Sequence, residues 1–301
     1  MTDLIVCSPE ETARRLPWAA LVDAIAQAVR DFDAGVIEAP VRQMVPFPDG
    51  GMMISMPCTA ADLAVHKLVN VVASNSERGL PTINGLVAAY DGATGCPVLL
   101  LDGPTVTARR TAGVSMLGLR LLCPQGPSHA VIMGTGTQAG SHAEALQALY
   151  PGLRIDVVGR TPAKAGDFVR ARAGTGAALH AAAAVDPAAD VIITTTTSAS
   201  PIYDEAPLPG RLIIGVGAYR PDLAEIGPRT LAGSHLYVDD PAGARHEAGD
   251  YIQAGVDWAA VRGLAAMLDG TLPEGASVFK SVGCAAWDLA AARCAVAQGG
   301  H

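Results

Sequence analysis

Residues 128–149 read SHAVIMGTGTQAGSHAEALQAL, and this stretch decides the fold. The short apolar run predicts a strand, the glycines predict a tight turn, and apolar residues at spacings of three and four predict a helix. The same alternation continues, with strands over 153–160, 190–197 and 211–218 and a helix over 161–174. Strands that alternate with helices predict a parallel sheet with helices on both faces, a doubly wound α/β architecture.

The first hundred residues follow a different pattern, which predicts a second domain. A helix is expected over residues 18–34, and turns typical of hairpins or a meander separate the extended segments that follow it. A further helix is predicted over 106–122, and the final apolar helix, 284–297, fits either domain. The extended segments cover residues 41–47, 52–56, 64–72, 85–90 and 97–101.

The composition suits this architecture and argues against several partners. Half of the 301 residues are hydrophobic but only 4% are aromatic, so the interior is built from small aliphatic side chains, as buried parallel strands require. At about 150 residues per domain, the length fits one large or two ordinary domains. The net charge of −8, without a basic run, argues against nucleic acid or an anionic membrane as a partner.

Simple sequence patterns indicate the cellular location and the state of the cysteines. No apolar run has the length of a membrane span, and the N-terminus lacks the basic and apolar regions of a signal peptide, so we expect a cytoplasmic protein. The six cysteines are scattered, without a Cys-x-x-Cys pair or a histidine at ligand spacing. We therefore predict no metal site and no disulfide scaffold.

The glycine-rich turn matches the pattern G-x-G-x-x-A between a strand and a helix, which is the context of a dinucleotide site. Gly134 permits the tight turn, Gly136 lets the backbone approach a pyrophosphate, and Ala139 allows close packing of helix and strand. The helix N-terminus then faces the anion. A purely structural turn is the alternative, and the flanking strand and helix favour dinucleotide binding.

The end of the next strand indicates which dinucleotide binds. NAD sites carry an acid about 20 residues after the turn, whereas Gly159, Arg160 and Thr161 follow the strand in this chain. An acid would repel a 2′-phosphate, and Arg160 can bind one through charge-assisted hydrogen bonds. We therefore predict NADPH in preference to NADH, without excluding NADH. The alternative is a solvated arginine on a surface turn.

Basic residues of the first domain suit a small carboxylate ligand. Arg42, Lys67 and Arg110 lie on separate segments, and Lys67 lies within an apolar strand, where its charge is costly to bury without an anion. A bound carboxylate would supply that anion, and the three cations together would clamp a small amino or imino acid. The alternative is that both arginines pair with surface acids and that Lys67 reaches solvent from an edge strand.

Segments along nearly the whole chain resemble the ornithine cyclodeaminase and mu-crystallin family. The resemblance implies a Rossmann-like doubly wound domain, residues 113–283, that binds NADP. This domain would be inserted in a mixed α+β domain for substrate binding and dimerisation, residues 1–112 plus 284–301, and the protein would be a homodimer. The segments that carry the resemblance are residues 66–122, 131–146, 194–203, 216–226 and 277–292.

The resemblance also implies a set of site residues. Arg42, Lys67 and Arg110 would hold the substrate carboxylate, with Thr82 in the same pocket. Together with the turn and Arg160, which the sequence itself points to, they complete the predicted site. The predicted cofactor residues are Gly134, Thr135, Gly136, Thr137, Gln138, Ala139, Arg160, Thr161, Thr195, Thr196, Ser198, Ser281 and Gly283.

One position separates the reactions of the family. Its cyclodeaminases carry an aspartate where this chain has Tyr219, and a tyrosine cannot replace that base near neutral pH without a large pKa shift. The Arg-Pro-Asp-x-x-Glu form of residues 220–225 is similar to the ketimine-reducing branch. We predict reduction of Δ1-pyrroline-2-carboxylate or Δ1-piperideine-2-carboxylate to L-proline or L-pipecolate, with Lys67 as the proton donor. The alternatives are an alanine dehydrogenase, a cyclodeaminase and a non-catalytic binding protein.

Overall fold

The structure is a computed structural model that describes most of the chain, namely residues 4–48, 50–173, 178–270 and 274–299. Within these ranges, no helix combines the length and the apolar character that a membrane crossing needs.

The chain divides into two compact units, and both ends of the chain belong to the first. The first unit comprises Met1–Arg110 and Cys284–His301, and the second comprises Thr111–Gly283. The final helix, which the sequence pattern left open, therefore belongs to the first unit. The predicted boundary after residue 112 and the structural boundary after Arg110 both fall within one helix, Gly103–Leu122.

The first unit contains a six-stranded sheet in the order β1-β6-β5-β4-β3-β2. The strands from β2 to β6 form the expected antiparallel meander, and the short β1 pairs in parallel with β6 at the edge. Because β4 lies inside the sheet, both of its sides are hydrogen-bonded to neighbours. The strands are β1 Ile5–Val6, β2 Gln43–Pro46, β3 Met52–Thr59, β4 Leu63–Val71, β5 Ile83–Asp91 and β6 Pro97–Asp102.

One face of this sheet packs against the first unit's helices. The buried residues of β4 recur at every second position from Leu63 to Val69, as a strand with one covered face requires. Phe32 and Trp287 meet edge to face, with their ring centroids 6.1 Å apart, where two of the helices pack together. The helices that begin in this unit are α1 Pro9–Arg14, α2 Trp18–Asp33, α3 Gly103–Leu122 and α10 Ala285–Ala297, with a 3-10 helix over Ala73–Arg78.

The second unit contains an eight-stranded sheet whose pairings are all parallel, in the order β13-β12-β14-β11-β10-β7-β8-β9. The predicted doubly wound sheet is thereby confirmed. The strand order reverses between β7 and β10, and ligands of such sheets bind at this switch point. The strands are β7 His129–Met133, β8 Arg154–Val158, β9 Leu179–Ala182, β10 Val191–Thr194, β11 Leu212–Gly215, β12 His235–Val238, β13 Arg262–Gly263 and β14 Ser277–Lys280.

Short helices connect these strands, and most of the shortest were not predicted. Thr161 caps the helix after β8, and Pro162 occupies its first turn, as the sequence pattern indicates. The predicted end of that helix at Gly174 lies outside the described residues. The remaining helices of this unit are α4 Thr137–Leu149, α5 Pro162–Ala171, α6 Pro228–Leu231, α7 Pro241–Glu247, α8 Gly249–Ala254 and α9 Leu264–Asp269.

Candidate functional site

A buried ion pair joins β4 to α10 in the first unit. Lys67 lies on the covered face of β4 with 1% of its surface exposed, and Asp288 of α10 is fully buried. The Lys67 Nζ atom lies 2.7 Å from Asp288 Oδ2. Met56 and Val87 are paired with Lys67 on the neighbouring strands, so an apolar residue flanks Lys67 on either side within the sheet.

Two arginines join this pair. Arg110 Nε lies 3.2 Å from the other oxygen of Asp288, Oδ1, and the Arg110 side chain is also buried. Arg42, which precedes β2, lies close enough for its charge to act on Lys67. Lys67 and Arg110 share one carboxylate, and the charge of Arg42 also acts on Lys67. The cluster keeps an excess of positive charge that suits an anionic ligand.

The surroundings of Lys67 bring its pKa closer to neutral pH. Burial is the main cause that lowers the pKa of Lys67 to about 8, and Arg110 and Arg42 add to that effect. The carboxylate of Asp288 acts in the opposite direction and holds the proton on the amine. A group with this pKa can hold a proton at neutral pH and also give it up, as a general acid must.

The structure corrects two expectations about Lys67. A bound carboxylate is not needed to meet its charge, because Asp288 meets it within the protein. Lys67 also does not reach solvent from an edge strand, because β4 lies inside the sheet and the side chain is buried. Sequence reasoning missed Asp288. The signal was a lone acid among the apolar residues of the first turns of α10.

The structure thus brings Lys67, Arg110 and Asp288 together, with Arg42 close by. Thr82 is exposed in the segment that leads into β5, and its carbonyl accepts a hydrogen bond of 2.8 Å from the Val72 backbone. The structure records no approach of its hydroxyl to the buried cluster among the described residues. Its role in substrate binding stays a prediction.

In the second unit, the loop after β7 has the form that a pyrophosphate needs. Gly134 adopts a φ of 135°, a value that favours glycine, and a side chain there would collide with Thr195 after β10. Gly136 is the N-cap residue of α4 and, as a glycine, offers the helix no side-chain hydrogen bond. The space that a side chain would occupy at Gly136 is open. The first N–H groups of α4 are therefore available to an anion, and the residues fit a dinucleotide phosphate.

The predicted cofactor residues share one edge of the second sheet. They follow β7, β8, β10 and β14, and the carboxyl ends of parallel strands meet at one edge. Arg160 is exposed two residues beyond β8, and Ala139 is fully buried, as close packing of α4 on the sheet requires. Thr135, Thr137, Gln138 and Gly283 also lie in the segments after these strands. Direct contact of each residue with a cofactor stays a prediction.

Several of the predicted cofactor hydroxyls already bond within the protein and hold their loops in place. Thr161 accepts from Lys164 N (3.3 Å), Thr195 donates to Met133 O (3.2 Å), Thr196 donates to Glu225 Oε1 (2.8 Å), Ser198 donates to Ser200 O (2.6 Å) and Ser281 donates to Asp239 Oδ2 (2.8 Å).

The Glu225 carboxylate ties the loop after β10 to the loop after β11. It is fully buried and accepts hydrogen bonds from the Thr196 backbone and hydroxyl after β10 and from Gly217 and Ala218 after β11. Burial raises the pKa of Glu225, and the charge of Lys280 opposes that rise. This glutamate ends the motif at residues 220–225, and the pattern of that motif alone indicates no role for it.

A second buried lysine–aspartate pair lies beneath Glu225. Lys280, the last residue of β14, places Nζ 2.7 Å from Asp250 Oδ2, and both side chains are fully buried. The other oxygen, Asp250 Oδ1, accepts hydrogen bonds from the backbones of Glu225 and Ile226. Asp250 therefore holds Lys280 on one side and the Glu225 segment on the other.

A cluster of possible metal-binding groups lies at the other edge of the same sheet. His129 opens β7, with Nε2 3.0 Å from Asp156 Oδ2 and Nδ1 3.9 Å from Asp186 Oδ2. Arg154 pairs with both carboxylates, at 2.8 Å and 3.5 Å. The guanidinium already supplies the positive charge that a metal ion would bring, and we assign no metal site to this cluster.

The comparisons with known proteins cover nearly the whole chain. The model of the ornithine cyclodeaminase/mu-crystallin family matches residues 4–298. The Δ1-pyrroline-2-carboxylate/Δ1-piperideine-2-carboxylate reductase of Azospirillum brasilense is 50% identical over 298 residues, which is 98% of this chain and 96% of that protein. The ketimine reductase mu-crystallin of Mus musculus is 34% identical over 277 residues, 90% of this chain and 88% of that protein.

A solved structure supports the fold. The Δ1-pyrroline-2-carboxylate reductase of Thermococcus litoralis, in complex with NADH and L-proline, superposes with a TM-score of 0.87 at 22% identity. The match covers 98% of this chain and 97% of that one. At this level of identity the likeness establishes the shared architecture.

Proposed function

The chain belongs to the ornithine cyclodeaminase/mu-crystallin family, and from this premise we propose that it reduces Δ1-pyrroline-2-carboxylate and Δ1-piperideine-2-carboxylate. It is an oxidoreductase that acts on C=N bonds with a nicotinamide cofactor. The observation that carries the substrate class is the buried cluster around Asp288, which keeps excess positive charge beside an amine with a pKa of about 8. A substrate whose carboxylate is attached to an imine carbon needs positive charge to bind the carboxylate and a proton donor for the imine nitrogen.

The cofactor is held by the second unit in this proposal. The α4 N-terminus and the turn at Gly134 and Gly136 bind the pyrophosphate, and Arg160 binds the 2′-phosphate of NADPH. The exposure of Arg160 just beyond β8, where an acid would favour NADH, supports NADPH as the preferred form. When bound, the nicotinamide supplies the hydride.

The residues of the first unit prepare the imine for reduction. Arg42 and Arg110 bind the substrate carboxylate, and Thr82 contributes a hydroxyl to the same pocket. Lys67 donates its proton to the imine nitrogen, since a protonated iminium carbon accepts hydride more readily. The carbon gains a hydride, the nitrogen gains a proton and the C=N double bond becomes a single bond. The neutral Lys67 amine then recovers a proton from solvent. Orientation of the planar imine by the carboxylate contacts lowers the entropic cost of the step.

One assay separates this function from its alternatives. The purified protein is given NADPH or NADH with each cyclic imine, pyruvate with ammonium, and ornithine with NAD. We expect rapid oxidation of NADPH by the cyclic imines without ammonium. Turnover that requires pyruvate and ammonium would identify an alanine dehydrogenase, and ammonia release from ornithine would identify a cyclodeaminase despite Tyr219. No cofactor oxidation and no ammonia release with any of these substrates would indicate a non-catalytic binding protein.

A homodimer is part of the same proposal. The face of the first sheet opposite Lys67 carries apolar side chains on adjacent strands, among them Val45, Met53, Leu68 and Leu86. Val45 and Leu86 are each more than half exposed, at 57% and 51%. A patch of this kind suits a contact with a second copy of the chain. Light scattering of the purified protein tests it, and Leu86→Glu should shift a dimer to monomer. A cytoplasmic location stays a prediction.

A further inference from the structure

Asp288 is a buried carboxylate that faces two cations, an arrangement that the packing of a hydrophobic core does not require. It is fully buried on α10, and its two oxygens face different cations, Lys67 Nζ at 2.7 Å and Arg110 Nε at 3.2 Å. The neighbouring positions of α10, such as Trp287 and Leu289, are apolar and buried. A carboxylate in such surroundings is costly unless it is paired, so its presence is explained by what it holds.

The charges around Lys67 show what Asp288 does. Burial, Arg110 and Arg42 all favour the neutral amine, whereas the charge of Asp288 favours the ammonium. If Asp288 were neutral, the ammonium would be left in an apolar environment beside two guanidinium groups. It would then lose its proton at a lower pH.

We propose that Asp288 is a positioning residue of the ketimine site: its carboxylate keeps Lys67 protonated for transfer to the imine nitrogen and holds the Arg110 guanidinium in place for the substrate carboxylate. This inference rests on the proposed function. Asp288 acts through Lys67 and Arg110, and it does not itself exchange a proton with the substrate.

The other ionisable groups near the pair leave Lys67 as the group that responds. On β3, burial and the nearby Asp288 raise the pKa of the Cys58 thiol to about 12, so it stays protonated over the working range. On α10, Arg293 pairs with Asp31 of α2 at 2.6 Å and with Asp62 at 2.7 Å. A guanidinium group is not deprotonated in proteins.

A direct test uses the small number of lysines. The chain contains three, Lys67, Lys164 and Lys280, so protein labelled with 13C at lysine Cε gives three signals that lysine substitutions assign. In Asp288→Asn we expect the midpoint of the Lys67 titration to move down by one pH unit or more. The exposed Lys164 signal and the buried Lys280 signal keep their wild-type titration. A Lys67 midpoint that does not move overturns the proposal.

A matched control comes from the second unit. Asp250→Asn removes the aspartate of a lysine pair with the same 2.7 Å separation and the same burial. It should leave the Lys67 midpoint unchanged. A change of the Lys67 midpoint in this variant as large as that in Asp288→Asn would show a general loss of structure and overturn the specific role of Asp288.

The rate of reduction gives an independent readout. In Asp288→Asn the fall of kcat/KM at high pH should begin at a pH lower by the same amount as the Lys67 midpoint. A midpoint that is lower by one pH unit gives about a tenfold loss of kcat/KM at pH 9. The loss shrinks toward pH 6, and Asp288→Glu recovers part of the activity. A loss of equal size at every pH would indicate a merely structural role and contradict the proposal.

A double variant covers the case in which Asp288→Asn does not fold. Lys67→Met with Asp288→Asn removes both charges of the pair, and any loss of kcat/KM relative to Lys67→Met alone then reflects the hold on Arg110 and should be the same at pH 6 and pH 9. A loss relative to Lys67→Met that still grows with pH would overturn the action through Lys67. If the wild type reduces neither imine, the proposed function fails, and the lysine titrations still decide the role of Asp288.

Discussion

The two units each bury one lysine beside one aspartate, and the two pairs have the same separation but different neighbours. Lys67 and Asp288 lie 2.7 Å apart in the first unit, as do Lys280 and Asp250 in the second. Two of the three lysines of the chain are used in this way, and the third, Lys164, is exposed. Distance and burial do not distinguish the pairs.

The neighbouring charges do distinguish them. Arg110 and Arg42 surround the first pair and leave an excess of positive charge that a carboxylate can use. The second pair lies next to another acid, Glu225, and its Asp250 oxygens are occupied by Lys280 and by two backbone N–H groups. A buried ion pair alone is weak evidence of function. The excess of positive charge around the first pair is what distinguishes the proposed binding site from the second pair, which we interpret as a structural link.

The largest effect is expected when the first pair loses its lysine. In Lys67→Met, kcat should fall roughly 10²- to 10⁴-fold, because the variant lacks the proposed general acid for the imine. Steady-state kinetics with Δ1-pyrroline-2-carboxylate measure it, and the exposed Lys164→Met serves as the control with wild-type kcat. Intact turnover with only a raised KM would limit Lys67 to anchoring the carboxylate.

Breaking the second pair should act on stability. In Asp250→Asn, Lys280 loses its counter-ion and two backbone N–H groups lose a charged acceptor. We expect the free energy of unfolding to fall by about 3–5 kcal/mol. Urea unfolding followed by circular dichroism measures the change. A loss below about 1 kcal/mol would mean that the second pair does not serve as the structural link inferred from its neighbours.

The pH dependence of the reaction reports on the first pair. In the proposed mechanism the protonated form of Lys67 is the donor. Because the pKa of Lys67 is lowered to about 8, kcat/KM should be level below that pH. It should fall about tenfold per pH unit above it, because the donor form is lost as the pH rises. Profiles of wild type and Asp250→Asn should share this limb. A profile that stays level to pH 10 would argue against Lys67 as the acid.

In the second unit, Arg160 is predicted to bind the cofactor phosphate, and Arg160 is not part of the buried pair of Lys280 and Asp250. In Arg160→Ala the preference for NADPH over NADH should fall about tenfold to a hundredfold, since one charge-assisted contact of about 1.5–3 kcal/mol is lost. Fluorescence titrations with both cofactors measure the ratio. Arg154→Ala is a matched control, because Arg154 begins the strand that Arg160 follows and lies at its other end. An unchanged ratio in Arg160→Ala would remove the basis for the NADPH preference.

The sequence predicted the features that depend on local pattern. The strand and helix around the glycine turn, the antiparallel meander and the long helices follow from periodicity and turn residues. The helices α6 to α9 escaped because each has seven residues or fewer, too short for a helical period to show. The charge of Lys67 in an apolar strand was visible, but the sequence left open whether its side chain is buried or reaches solvent.

The partners of the buried charges could not be predicted in the same way. Lys67 and Asp288 are far apart in the chain, and only the packing of α10 on β4 brings them together. The same holds for Lys280 and Asp250, which lie on different elements. Pairing across space depends on tertiary structure, and no spacing rule for a single segment encodes it.

The most direct test of the central claim is the effect of a bound carboxylate on the two buried lysines. Lysine Cε signals are titrated with and without pyrrole-2-carboxylate, a planar analogue whose ring nitrogen carries no charge. The added negative charge should raise the midpoint of Lys67 above its value near pH 8 and leave that of Lys280 unmoved. A saturating ligand that leaves the Lys67 midpoint unchanged, or moves the Lys280 midpoint equally, would contradict the assignment of the first pair as the substrate site.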